Sequence, residues 1–146
     1  MAERGRREEA RRWILQAMYD LKAAEWNLEG GFYNTVCFLA QQGAEKALKS
    51  ALYYQGISRS KLMTHSTVQL LSEVVSFIPS LEDLTDDARE LDLHYIPARY
   101  PNGLPGGVPH TFYSRKTADA ALKSSESIIQ EILNFYKSNH FHIEEE

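Results

Sequence analysis

A single cysteine, Cys37, occurs among 146 residues. One thiol excludes an internal disulfide framework and cannot build a cysteine-based zinc site; at its position in an apolar pattern it reads as a core residue rather than a nucleophile. Such cysteine poverty fits a reducing, cytoplasmic setting. No apolar run approaches the roughly 18 residues needed to span a bilayer, and the charged N-terminus is not followed by an apolar targeting segment. The eight glycines form no phosphate loop, because none lies in a Gly-rich strand–turn–helix context, so ATP hydrolysis is not expected. There is no HExxH helix, no Cys/His array and no repeated Glu-x-x-His, so neither metal nor cofactor is expected. Charge of one sign does not dominate. Sixteen Lys/Arg against twenty Asp/Glu give a formal −4, which argues against a globally basic nucleic-acid binder but leaves room for a local basic site.

What the chain does have is helical patterning. Hydrophobic residues make up 43% of it, enough for one domain with a full core. The stretch Phe32–Gln55 has no proline. Val36, Ala40, Ala44, Ala47 and Ala51 recur every three to four residues, and Cys37, Leu48 and Leu52 widen the stripe. This predicts an amphipathic helix whose buried face is small, with Gly43 admitting a close neighbour. Glu8–Glu29 predicts a first long helix on Trp13, Ala17, Leu21, Ala24 and Leu28, and Gly30-Gly31 then permits a sharp antiparallel return. Ser66 followed by Gln69 resembles a capping box for a shorter helix ended by Pro79. Thr85–Tyr95 is expected as a second short helix capped by Thr85, with Asp86 and Asp87 at its positive end. Asn102–His110 reads as a loop, and Ser114 as the cap of a last long helix on Ala118, Leu122, Ile129, Ile132 and Tyr136. The fold class is therefore all-α: an antiparallel helical bundle of three long and two shorter helices. It occupies residues 8–137, after a charged segment 1–7 and before a flexible tail 138–146.

Two groups of residues carry candidate chemistry. Arg99-Tyr100-Pro101 is the first. Pro101 holds Tyr100 extended, and an arginine in such a turn either grips a phosphate in bidentate fashion, with Tyr100 stacking on a base, or acts as a clasp bonded to Glu45 or to helix-end carbonyls. Lys46 and Lys49, three residues apart on the second long helix, are either solvated or join Arg99 in a small positive site, with Gln42 bonding a base edge or phosphate. Arg89 and His94, in RELDLH, are the second group. A histidine can move a 2′-hydroxyl proton while an arginine stabilises phosphorane charge, so the pair is a candidate for metal-independent RNA cleavage. Their offset of five does not stack them on one helix face. His65 reads as an anchor for the turn before Ser66. His140 and His142, near Glu144, Glu145 and Glu146, are a weak opportunistic metal site.

Taken in order, AxxDLKAAEWNL in the first helix, CFLAQQGAEKALKSAL in the second, Thr64-His65, and YIPARYP from Tyr95 to Pro101 resemble the HEPN family, the higher-eukaryote and prokaryote nucleotide-binding domain. The resemblance implies an all-α bundle, commonly a homodimer. Its members bind nucleotides, accompany minimal nucleotidyltransferases, or cleave RNA through Arg-x4–6-His, and some belong to toxin–antitoxin pairs. Only Arg89 and His94 match that last spacing, and Glu90 stands where the ribonucleases usually carry another polar residue. The RYP turn is more like the non-toxin members. The resemblance thus leads to a dimeric module for a nucleotide or related phosphate ligand using Gln42, Lys46, Lys49, Arg99 and Tyr100, in partnership with a nucleotidyltransferase. The alternatives are an endoribonuclease on Arg89 and His94, and an interaction subunit that binds no ligand.

Overall fold

The computed structural model describes residues 2–144. Among them there is no strand, and the bundle is built on three long helices: α1 (Glu3–Gly30), α2 (Tyr33–Gln55) and α6 (Arg115–Ser138). Between α2 and α6 lie α3 (Thr67–Val74), α4 (Thr85–Asp92) and the single-turn α5 (Pro109–Phe112). The expected three long and two shorter helices are all present. Three 3₁₀ turns, Arg59–Leu62, Pro79–Leu84 and Pro101–Gly103, shape the connectors.

Helix α2 is the axis, packed between α1 and α6. Ala40, Ala44, Ala47 and Ala51 are fully buried, and this strip of small side chains lets both neighbours come close. A Cβ on Gly43 would stand 3.4 Å from both the Ala17 carbonyl oxygen of α1 and Ser125 Oγ of α6, at the near edge of ordinary contact. Leu48, Ile14, Ile128, Ile129 and Ile132 fill the space between the three backbones. Ser50 Oγ bonds both the Ala10 carbonyl and the Tyr136 hydroxyl, so one buried polar contact pins all three long helices.

Both long helices of the hairpin end as their glycines dictate. Gly31 (φ 79°) and Gly56 (φ 75°) adopt the left-handed conformation. The following amides, Phe32 and Ile57, bond back to Asn27 and Leu52, the paired bonding that closes a helix C-terminus.

Four boundaries differ from the sequence expectations. Helix α1 begins at Glu3, inside the segment expected to precede it, because Arg7–Glu3 and Arg4–Glu8 pair one turn apart and support another turn. Helix α3 stops at Val74, with turns from there to Pro79. Thr85 does not cap α4: its hydroxyl bonds the Glu82 carbonyl behind it, and Leu84 holds the cap position. Helix α4 ends at Asp92, not Tyr95, and residues 93–99 form successive turns. The C-terminal segment also departs from a free tail. Phe141 is 5% exposed and packs against Tyr54 and Tyr136. Arg11 lies 5.0 Å over its ring and donates to the His142 carbonyl. Glu145 and Glu146 lie outside the described residues.

Candidate functional site

The N-terminus of α3 is where the site is assembled. Ser66 Oγ accepts from the Gln69 amide, giving half of the expected capping box. The other half is replaced from a distance. Asp92, at the end of α4, accepts from Ser66 Oγ (2.8 Å), the Thr67 amide (2.6 Å) and the Val68 amide (3.2 Å). A carboxylate is favoured there, at the positive end of the α3 dipole. The clamp fixes the turn carrying His65 against the residues that follow Asp92.

His65 is held at three points. Its carbonyl accepts from the Gln41 side-chain amide at 3.0 Å, its Nδ1 lies 3.4 Å from Glu45 Oε2, and its ring stacks on Tyr95, with centroids 4.9 Å apart and planes 16° apart. The imidazole remains largely exposed, whereas Glu45 is 3% exposed. Lys49 Nζ stands 3.1 Å from the same Glu45 oxygen and is itself 7% exposed. Gln41, Glu45 and Lys49 therefore form a buried polar ladder along α2, spaced by four residues, that ends at an exposed ring.

Arg99 lies beyond Tyr95. Its guanidinium sits over three aromatic rings, 4.5 Å from Phe38, 4.7 Å from Tyr95 and 5.0 Å from Tyr100. Its Nε donates to the Tyr95 carbonyl at 2.8 Å. Of the two clasps open to it, this is the carbonyl one; Glu45 is engaged by Lys49 and His65 instead. Among the described residues no carboxylate lies within ion-pair distance of Arg99, and its terminal nitrogens are neither bonded nor closed off from solvent. The turn is stiff: Asn34 donates to the Ala98 carbonyl, and Tyr100 is extended (φ −127°, ψ 133°), as Pro101 requires. Gly103 is needed nearby, because a Cβ on it would come within 3.0 Å of Pro97 Cα.

The other sequence candidates are engaged elsewhere. Lys46 is bonded to Asp20 of α1, a carboxylate 5% exposed. Gln42 donates to Gln41 Oε1 at 2.8 Å. The three expected cations thus do not gather around one open site: two lysines are neutralised by acids, and Arg99 is left with its terminal nitrogens free. Arg89 is exposed on α4 and pairs with Asp86. His94 is half-buried after α4, with Nδ1 3.1 Å from the Tyr113 hydroxyl. Burial lowers its pKa below the usual 6.5 and pushes the Tyr113 hydroxyl up to about 12, with Cys37 adding to the rise. The contact is then one between a neutral imidazole and a protonated hydroxyl. No hydrogen bond joins Arg89 to His94 among the described residues. Nor, among the described residues, do three or more His, Cys, Asp or Glu side chains converge to hold a metal, and no helix among them is long and apolar enough to cross a membrane.

The sequence does not announce the parts played by Gln41 and Tyr95 in the ledge that His65, Tyr95, Arg99 and Tyr100 form, and it offers Glu45 as a clasp for Arg99 rather than as a partner of His65. One signal was present: polar residues at 41, 45 and 49 recur every four positions beside the alanine stripe, on a face that periodicity buries.

Several known proteins are similar to this chain. "Putative toxin MJ1304" of Methanocaldococcus jannaschii is 27% identical over 137 residues, covering 90% of each chain. The crystal structure of TT1696 from Thermus thermophilus superposes with a TM-score of 0.80 at 36% identity, over 86% of this chain and 97% of that one. ST0689, an archaeal HEPN homologue, superposes with a TM-score of 0.72 at 34% identity, over 87% and 97%. The HEPN domain model matches residues 10–136, nearly the whole bundle from α1 to the end of α6, and the chain belongs to the HEPN family.

Proposed function

We propose that the protein is a dimeric HEPN module that binds a nucleotide or a related phosphate-containing ligand on the Arg99–Tyr100 ledge, in partnership with a minimal nucleotidyltransferase. One observation carries the reading: in a chain of net charge −4, Arg99 is fixed by aromatic rings and a carbonyl rather than by an acid. A guanidinium held this way keeps its terminal N–H groups for an incoming anion, and its planar fork matches a phosphate. Tyr100, 49% exposed, offers a face on which a base can stack, a contact worth about 1–3 kcal/mol. Gln42, Lys46 and Lys49 serve indirectly, through the polar ladder and the α1–α2 seam.

Calorimetric titration with ATP tests this. Saturable binding is expected, weakened about 10- to 100-fold in Arg99→Ala, the equivalent of one charge-assisted hydrogen bond at roughly 1.5–3 kcal/mol. Arg99→Lys should recover only part of it, since an ammonium lacks the fork. Absence of binding across a panel of nucleotides to a correctly folded protein removes the reading.

A second reading, metal-independent RNA cleavage by Arg89 and His94, is favoured by the Arg-x4-His spacing and by the toxin name of the M. jannaschii relative. Within one copy Arg89 and His94 have separate partners, so this reading needs a second copy to complete the site. Intact RNA after incubation with the dimer in chelator would count against it.

A further inference from the structure

One groove of the molecule shares no lining residue with the Arg99 ledge. It runs between α1, the 3₁₀ turn before α4, and α6, with a volume of about 920 Å³. Its floor is apolar, formed by Met18, Leu21, Leu84 and Ile129. Its walls are acidic: Glu25 from α1, Asp83 from the turn, and Glu126 and Glu131 from α6, against Lys22 alone. Among the described residues none of these four carboxylates has a lysine or arginine within ion-pair distance. Glu131 is held by the Ser80 hydroxyl at 2.7 Å, so its charge is oriented but not cancelled.

The edge of this groove carries an exposed aromatic ring. Met18, Lys22, Glu25 and Trp26 lie on one side of α1 at offsets of four, seven and eight. Trp26 is 80% exposed. Among the described residues no aromatic pairing uses its ring, and a tryptophan so exposed beside a groove is the type of side chain that anchors protein interfaces. From Met18 to Glu25, and from Glu126 to Leu133, each wall spans about 10 Å at 1.5 Å per residue. That length receives two turns of a helix laid between α1 and α6.

We propose that this groove docks a basic amphipathic helix of a partner protein. Apolar side chains one turn apart would enter the floor, and flanking lysines or arginines would meet Glu25, Asp83, Glu126 and Glu131. Charge complementarity selects this occupant: four uncompensated carboxylates disfavour an acidic segment or a nucleic acid and give a neutral one nothing to pair with. Trp26 extends the contact beyond the groove.

The test uses an end-capped 14-residue peptide of leucine and lysine in helical register, a glutamate-for-lysine counterpart, and a leucine–lysine peptide of the same composition with the register scrambled. Binding is followed by anisotropy of the labelled peptide. Saturable one-to-one binding is expected for the first peptide only. The exposed double charge reversal Glu25→Lys/Glu126→Lys should weaken it at least tenfold and admit the glutamate peptide, with the circular dichroism spectrum unchanged. Equal binding of the scrambled peptide, or affinity unaffected by the reversal, overturns the proposal. So does a sedimentation experiment in which the protein alone dimerises through this face and loses the dimer on Trp26→Lys, since the occupant is then a second copy. Arg99→Ala leaves peptide binding unchanged, which separates this outcome from that of the nucleotide experiment.

Discussion

Removing either member of the Glu45–Lys49 pair should damage the protein more than removing both. Glu45 is 3% exposed and Lys49 7%, with Nζ and Oε2 3.1 Å apart. Lys49→Met leaves the glutamate with only the Gln41 amide at 3.2 Å and the long contact to His65. Glu45→Met leaves a buried ammonium with no acceptor but the Trp13 face at 5.6 Å. An uncompensated buried charge costs about 3–5 kcal/mol. For a domain of this size that is a fall in Tm of about 6–20 °C, at roughly 2–4 °C per kcal/mol. The double variant Glu45→Met/Lys49→Met removes both desolvation costs and fills the space with apolar atoms. It should lie close to the wild type or exceed it by about 1–4 kcal/mol. Gln41 keeps its bonds to the His65 carbonyl and Thr67, and His65, already exposed, is hydrated. Urea unfolding of all four proteins, read at constant m, gives the coupling energy directly. Single variants costing under about 1 kcal/mol, or a double variant as unstable as the sum of the singles, would refute the account of the ladder as a closed electrostatic unit.

Asp92→Ala removes three bonds from the start of α3 and should cost about 2 kcal/mol in urea unfolding, with faster amide exchange at Thr67 and Val68. Phe141→Ala should cost about 3 kcal/mol and expose residues 139–144 to proteolysis, because that ring anchors the C-terminal segment. Burial pushes the Cys37 thiol up to about 12; it should therefore resist a disulfide reagent near pH 8 in the native state and react at once in denaturant. Since the folded pKa of His94 lies below its unfolded value of about 6.5, its contribution is fully present above that pH and is lost as pH falls through the folded value. The urea midpoint should decline as pH falls below about 6.5, and His94→Gln should flatten the decline.

The bundle was legible because its main determinants are local. An alanine stripe at helical spacing, glycines at the ends of α1 and α2, and a serine capping α6 each act within a few residues. The termini of α3 and α4 were misplaced for the complementary reason. Capping of α3 comes largely from Asp92, more than twenty residues away, and α4 yields to turns before Pro97 although its apolar spacing continues to Tyr95. Phe141 followed no helical period, and only the cluster of Tyr54 and Tyr136 gives it a place.

The candidate site shows the same division more sharply. Glu45 and Lys49 stand one turn apart, so their pairing could be read from spacing. Lys46 is removed from the site by Asp20, on a different helix, and no spacing announces that. Arg99 sits on irregular backbone between two prolines, where periodicity assigns no direction to a side chain. Its availability depends on what fails to reach it: Glu45, the acid a sequence reading would offer, is already occupied by Lys49 and His65. The pair therefore does more than stabilise α2. By holding Glu45 in the core, it leaves the guanidinium over Phe38, Tyr95 and Tyr100 without an internal counter-ion among the described residues.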